Sequence, residues 1–328
     1  MQKGKIGTTQ MHFMKSRAAK FILFALSLLA APRFIHAVPL QRPDVPADPM
    51  WLIHMDFDRL RNTTVGQFIV GELEKPEAQA KFAAFQAMFK LDLRTQLHGV
   101  TLYGLPETPD KAVVLVYADF DPEHLATLAK GANDYQSADH NQHLIHSWVD
   151  DSHKGKHSAK TRTYAAAQAS RVLIFGQSEA AVAKALDVMD LSAGNLSASK
   201  TFPPLDNASA FFQAAAQNLK VRDSDPNSAV VRLSKAMRLQ IGEAQKTVNA
   251  TLQLTAGDDE VAKQIASIGQ GLISLMKLQR DRPEANKFAD ALSLKQDASE
   301  VTVTLSLPAS DAVDVMKADA ARKAKKTQ

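Results

Sequence analysis

The stretch KAVVLVYADFDPEHLATLAK, residues 111–130, decides how the rest of the chain is read. Lys111 to Ala118 is an apolar, β-branched run, the composition of a strand within a sheet. It stops at Asp121-Pro122-Glu123. There an aspartate can accept from the first amides of a helix, proline already holds the φ of a first turn, and glutamate meets the positive end of the helix dipole. Strand, cap and helix follow one another directly. The same grammar recurs along the chain and predicts an α+β fold, in two similar halves of mostly antiparallel sheet with helices packed on one face.

Upstream, Trp51 to Phe57 has strand composition and ends at Asp58, read as a second cap, before helical spacing through Val65, Phe68, Ile69 and Leu73. Pro76 opens a helix with Phe82, Phe85, Met88 and Phe89 on one face, and Leu97 to Gly104 reads as a strand joined to the run at 111 by a turn over 105–110. Downstream, His143 to Val149, Thr161 to Gln168 and Arg171 to Gly176 are strand-like around a polar loop from Asp150 to Lys160, and Ser178 caps a helix over 179–189. Leu191 to Ser199, rich in Ser, Gly, Asn and Ala, marks a boundary between predicted domains at 51–193 and 200–317.

Past that boundary, Ala208 to Ala216 fits a strand or a short helix, Pro226 to Lys235 a helix, and Met237 to Ile241 with Thr247 to Thr255 a hairpin turning near Gly242 and Glu243. Asp258 caps a long helix with the stripe Val261, Ile265, Ile268, Leu272, Leu275 and Met276. A helix from Pro283 follows, then the alternating strand Val301 to Leu307, and Ser310 opens a final helix with Val313 and Met316. The spans 58–130 and 258–317 share one order of elements, which predicts a structural duplication.

Both ends have a different character. Residues 1–37 place Lys3, Lys5, Lys15, Arg17 and Lys20 before the apolar run Phe21 to Ala31, and Ile35-His36-Ala37 offers a small residue for cleavage, the pattern of a secretory signal peptide. The apolar run is about half of the ~20 residues that span a bilayer, so it reads as cleaved rather than as an anchor. Four prolines between Val38 and Met50 predict an extended linker, and residues 318–328 a basic, solvated tail ending in Arg322, Lys323, Lys325 and Lys326.

Removing 1–37 takes six basic residues and no acidic ones from totals of 39 and 35, leaving 33 against 35 and a net charge of −2. The basic pI therefore belongs to the signal, and nucleic acid is not an expected partner. Cysteine is absent, which excludes disulfides, thiolate catalysis and cysteine-bound metal. A periplasmic or secreted protein with no transmembrane anchor after cleavage is the expectation.

Candidate chemistry is sparse. Asp56 with Asp58 and Asp119 with Asp121 place two carboxylates at i and i+2 on strand ends, as a divalent cation could use, but helix capping explains the second member of each pair. His140, His143, His146, His153 and His157, near Asp139, Asp150 and Asp151, form a histidine-rich segment. His143 and His146 fall on opposite faces of a strand, and no motif fixes a ligand geometry. Gly176-Gln177-Ser178 is a strand-to-helix turn with serine as cap, and Gly269-Gln270-Gly271 lies inside a helix, where its glycines favour close packing over phosphate binding. The sequons at Asn62, Asn195, Asn207 and Asn249 matter only in a glycosylating host.

The Trp51-to-Asp58 opening, the Val100-Thr101-Leu102-Tyr103-Gly104 strand, and Phe175-Gly176-Gln177-Ser178-Glu179 leading to Ala185-Leu186-Asp187-Val188 are similar to uncharacterised exported bacterial α+β proteins, hypothetical proteins of no known activity. The resemblance covers residues 50 to 317 and brings no catalytic, cofactor-binding or metal-binding residue. The sequence expectation is thus a non-enzymatic exported protein that binds a partner, an envelope protein or polymer, or plays a structural role in the bacterial envelope, without a cofactor. A metal-binding protein using segment 140–157, or a hydrolase with dispersed catalytic residues, are the alternatives.

Overall fold

The computed structural model describes residues 38–150, 161–205, 209–218, 229–278 and 283–326. Residues 1–37, where a signal peptide is expected, and Asp151, His153, His157 and Asn207 lie outside the described residues. Among the described residues twelve strands form one antiparallel sheet: β1 (Trp51–Asp56), β2 (Leu97–Leu105), β3 (Thr108–Ala118), β4 (Gln136–His140), β5 (His143–Asp150), β6 (Thr161–Gln168), β7 (Val172–Gly176), β8 (Ala210–Gln217), β9 (Ser234–Ala244), β10 (Thr247–Ala256), β11 (Leu292–Asp297) and β12 (Glu300–Pro308). Their order is β11-β12-β10-β9-β8-β1-β2-β3-β7-β6-β5-β4. The α helices are α1 (Phe57–Arg61), α2 (Thr64–Leu73), α3 (Pro76–Phe89), α4 (Pro122–Lys130), α5 (Glu179–Met189), α6 (Ala229–Leu233), α7 (Asp259–Lys277), α8 (Pro283–Asp290) and α9 (Ala309–Lys326). None of the described helices is long and apolar enough to cross a membrane.

The expected strand, cap and helix at 111–130 are β3 and α4, with the Asp121 carboxylate accepting from the amides of Glu123 and His124. Ser178 and Asp258 cap α5 and α7 in the same way. At the first helix the sequence reading is corrected: Asp56, not Asp58, is the cap, because α1 starts at Phe57 and the Arg59 amide donates to Asp56. Residues 210–217 are a strand, since they pair with both β1 and β9 inside the sheet.

The sequence halves 51–193 and 200–317 become two arms of this one sheet, β1 to β7 and β8 to β12, joined where β1 pairs with β8. Read outward from that seam, each arm has a first strand, a hairpin, and then the last strand of a second hairpin: β1-β2-β3-β7-β6 and β8-β9-β10-β12-β11. The spans 58–130 and 258–317 do not occupy matching places, since β2 and β3 lie next to β1 while β11 and β12 end the sheet.

Pairing register assigns each face. One row across the sheet runs Ile174, Leu115, Thr101, His54, Gln213, Gln240, Thr251, Thr304, turning from apolar to polar at Thr101 and His54, still inside the first arm, and staying polar through the second. The adjoining row, on the opposite face, runs Leu173, Val116, Val100, Met55, Phe212, Ile241, Ala250, Leu305, Leu292 and is apolar throughout. Two-sided burial is therefore encoded in the first arm and one-sided burial in the second.

In the first arm, Val182, Ala185 and Leu186 of α5 pack on Leu115, Val172 and Ile174. Residues 38–50, expected as a linker, instead supply Leu40 and Val45 to this core and include a 3-10 turn at Arg42–Asp44. These residues form a strap that lies on the sheet. On the other face Phe85 and Phe89 of α3 and Leu125 of α4 meet Val116 and Leu173. In the second arm, Ile265 and Ala262 of α7 bury Leu254 and Val301. Residues 318–326, expected as a tail, continue α9, in keeping with the helix-favouring Ala318, Ala320, Ala321 and Ala324.

Candidate functional site

Between the apolar face of the second arm and three helices lies a cavity of about 460 Å³. Its floor is the side chains of Leu239 and Ile241 from β9, Val248, Ala250 and Leu252 from β10, Val303, Leu305 and Leu307 from β12, and Leu292 from β11. Its roof is Val65 of α2, Phe288 of α8, and Ala312, Val315 and Met316 of α9. Period-two alternation puts every floor residue on the face that the helices cover. Yet Leu239, Ile241, Ala250, Leu252, Val303 and Leu305 keep partial exposure although they sit inside the sheet, because α9 stands off from them.

Two devices shape one end of the hollow. β8 carries a bulge: Ala210 pairs with Gly242 and Phe212 with Ile241, leaving Phe211 without a counterpart and its ring in the cavity wall. Gly242 permits this, since a Cβ there would lie 2.6 Å from the Ser209 carbonyl oxygen. Next to it, the Glu243 carboxylate accepts from the Thr64 and Val65 amides at 2.9 and 3.1 Å, docking the α2 N-terminus on the rim. Burial by itself would raise the Glu243 carboxyl, but the hydrogen bonds from Thr64 and Val65 outweigh it and hold it below the usual glutamate value. Across the roof, Lys287 of α8 bonds Asp311 of α9 at 2.9 Å, and the Lys317 ammonium of α9 lies 5.7 Å from the centre of the Phe68 ring on α2.

Among the described residues every lining side chain is apolar, so these offer no hydrogen bond to a polar solute, whose desolvation would go uncompensated. An apolar chain gives up no hydrogen bond on entry. A volume of this size is ordinary for small-molecule sites.

The carboxylates and imidazoles singled out in the sequence are placed elsewhere. Asp58 is buried, bonded to Arg61, and contacts His98 Nδ1 at 3.0 Å, while Asp119 meets His98 Nε2 at 3.1 Å. The two aspartate pairs thus meet through one imidazole, both of whose nitrogens are occupied. Asp121 serves as a cap. His140 and His143 bond Asp187 and Asp190 at 2.8 and 2.7 Å, fastening the β4–β5 hairpin to α5. His146 pairs with Tyr135 at 2.9 Å, and burial lowers its pKa, with Lys130 adding to the shift. Among the described residues no group of three or more His, Asp or Glu could hold a metal ion. Gly269 lets α7 approach β11, where a Cβ would meet Leu294 at 2.6 Å, and Gly271 borders open space. The Asn62 and Asn249 amides donate to the carbonyls of Asp58 and Thr247, and Asn195 accepts from the Ser197 amide.

A buried polar cluster that the sequence reading missed lies in the first arm. His54 is fully buried, with Nδ1 2.9 Å from the Thr101 hydroxyl and Nε2 3.2 Å from the Val38 carbonyl oxygen. Burial lowers its pKa to about 4, the bond to Val38 only partly opposing it. The Tyr117 hydroxyl donates to Asp44 at 3.1 Å, and Arg171 donates to the same carboxylate. Burial pushes the Tyr117 hydroxyl far up, and Asp44 adds to it. These groups pin the 38–50 strap. The cavity was equally missed; its one sequence signal is that three alternating strands supply more apolar face than the alanine-rich α9 can cover.

No family model matches the chain, and no curated protein matches it. Among solved structures, crystal form III of TP0453 is 8% identical with a TM-score of 0.48, covering 86% of this chain and 99% of that one. Crystal form I is 9% identical with a TM-score of 0.45, covering 87% and 98%, and crystal form IV is 11% identical with a TM-score of 0.43, covering 86% and 97%.

Proposed function

We propose that this chain is an exported, non-enzymatic binding protein that holds an apolar small molecule in the hollow of its second arm. One observation carries the reading: a cavity of about 460 Å³ walled by apolar side chains, in a place where a sheet of this kind would normally be filled by its own helices. The signal-like composition of residues 1–37 supports delivery to the periplasm or the outside of the cell, where an apolar compound needs a carrier or a receptor. The arm-by-arm likeness of strand order supports an origin by duplication, one copy having kept a filled core.

The test is titration of the protein lacking residues 1–37 with 1-N-phenylnaphthylamine, whose fluorescence rises in apolar surroundings. The expected result is saturable enhancement at one probe per chain, lost in Ala250→Trp, which sets an indole across the middle of the hollow, and kept in Asp121→Ala, remote from it. Absence of saturable binding, or binding that Ala250→Trp leaves intact, contradicts the proposal.

A further inference from the structure

Resting on that reading, we propose that the ligand is a single long-chain acyl group lying across the strands, and that Phe211 is the residue that sets its length. From Phe211, the wall on β8, the lining crosses β9, β10 and β12 to Leu292 on β11. Neighbouring strands lie about 4.8 Å apart, so these four steps span roughly 19 Å. A hollow of about 460 Å³ is in the range of sites that take one small ligand, and an extended saturated chain on the order of 15 carbons has a length close to that span, so volume and length are both compatible with one acyl chain.

The ends of this slot differ. At the β11 end stand Phe288 and Leu292, beside the solvent-exposed Lys287–Asp311 pair that bridges α8 and α9. At the β8 end stand Phe211 and Val65, each held by a specific local device: the bulge with Gly242 for the first, the Glu243 carboxylate at the α2 N-terminus for the second. The bulge matters because the apolar row does not stop there. Beyond Phe212 it continues through Met55 and Val100 of the first arm, so the Phe211 ring stands where a longer chain would otherwise go on.

The experiment displaces 1-N-phenylnaphthylamine with saturated fatty acids of ten to twenty carbons. In the unaltered protein, affinity is expected to rise about fourfold for each added methylene that is buried, and to stop rising once the chain outgrows the slot. Phe211→Ala is expected to move that limit at least two carbons longer, and Phe211→Leu, which keeps more of the core volume, to move it less in the same direction. A limit that stays put in both variants overturns the role of Phe211. Probe binding that no fatty acid displaces overturns the acyl ligand while leaving an apolar site in place, and a protein that binds neither overturns both readings.

Discussion

The two arms of the sheet share a scheme of connections and differ in what fills them. In the first arm Leu115, Ile174, Val182 and Leu186 are packed to full burial, and even a histidine is closed off from water. In the second arm, residues at equally central strand positions, Ala250 and Leu305, border a hollow. The difference traces to the helix that follows the last strand of each arm. α5 offers Val182, Ala185 and Leu186, all fully buried, and the strap 38–50 closes what it leaves open. α9 offers Ala312, Val315 and Met316 toward a floor already rich in leucine, and among the described residues no strap lies over it. Chain topology sets where a core can be; side-chain volume decides whether it is closed.

The largest expected contrast comes from truncating leucines. Leu115→Ala in the filled arm should cost about 3 kcal/mol or more in urea unfolding, because it removes close-packed atoms and leaves a void. Leu305→Ala should cost about 1 kcal/mol, since its side chain already faces a void. Equal costs would erase the distinction between the arms.

Acid titration sharpens it from the other side. His54 is held neutral in the fold with a pKa of about 4, while an unfolded histidine titrates near 6.5. Between those values the unfolded chain binds more protons, so stability is full above pH 6.5 and falls as pH drops toward 4, by about 3 kcal/mol. His54→Asn should flatten that part of the profile measured by urea unfolding. Asp56 works in the opposite sense: burial raises its carboxyl, the Arg59 bond only partly opposing this, so protonation at low pH favours the fold.

Smaller effects are expected at the rim of the hollow. Glu243→Gln should cost about 1 kcal/mol by weakening the charged cap on α2. Because that carboxyl is held low, its contribution is present above the ordinary glutamate pKa and is lost as pH falls through the folded value. Smallest of all, Lys246 turns the β9–β10 hairpin at φ 58°, and Lys246→Gly should stabilise by about 0.5–1 kcal/mol while leaving probe binding unchanged.

Much of the fold was legible because local rules wrote it. Asp121, Ser178 and Asp258 cap the helices expected of them, and the alternating run at 301–307 is a strand with Val301 and Leu307 buried. What was not legible depends on partners distant in sequence. Asp58 looked like a cap, but its partner His98 lies 40 residues away. The prolines of 38–50 looked like a linker because nothing local reveals that Asp44 reaches Tyr117 and Arg171. The cavity is the extreme case: each floor residue reads as ordinary core, and only the distance kept by α9 makes it a site.

Placing a large ring in each arm tests the central claim most directly. In urea unfolding, Ala250→Trp should leave stability within about 1 kcal/mol of the unaltered protein, because the hollow has room for the indole, whereas Ala185→Trp, forced into the filled arm, should cost about 3 kcal/mol or more. A loss at Ala250 as large as the loss at Ala185 would mean that the second arm is as closely packed as the first, and would contradict the account.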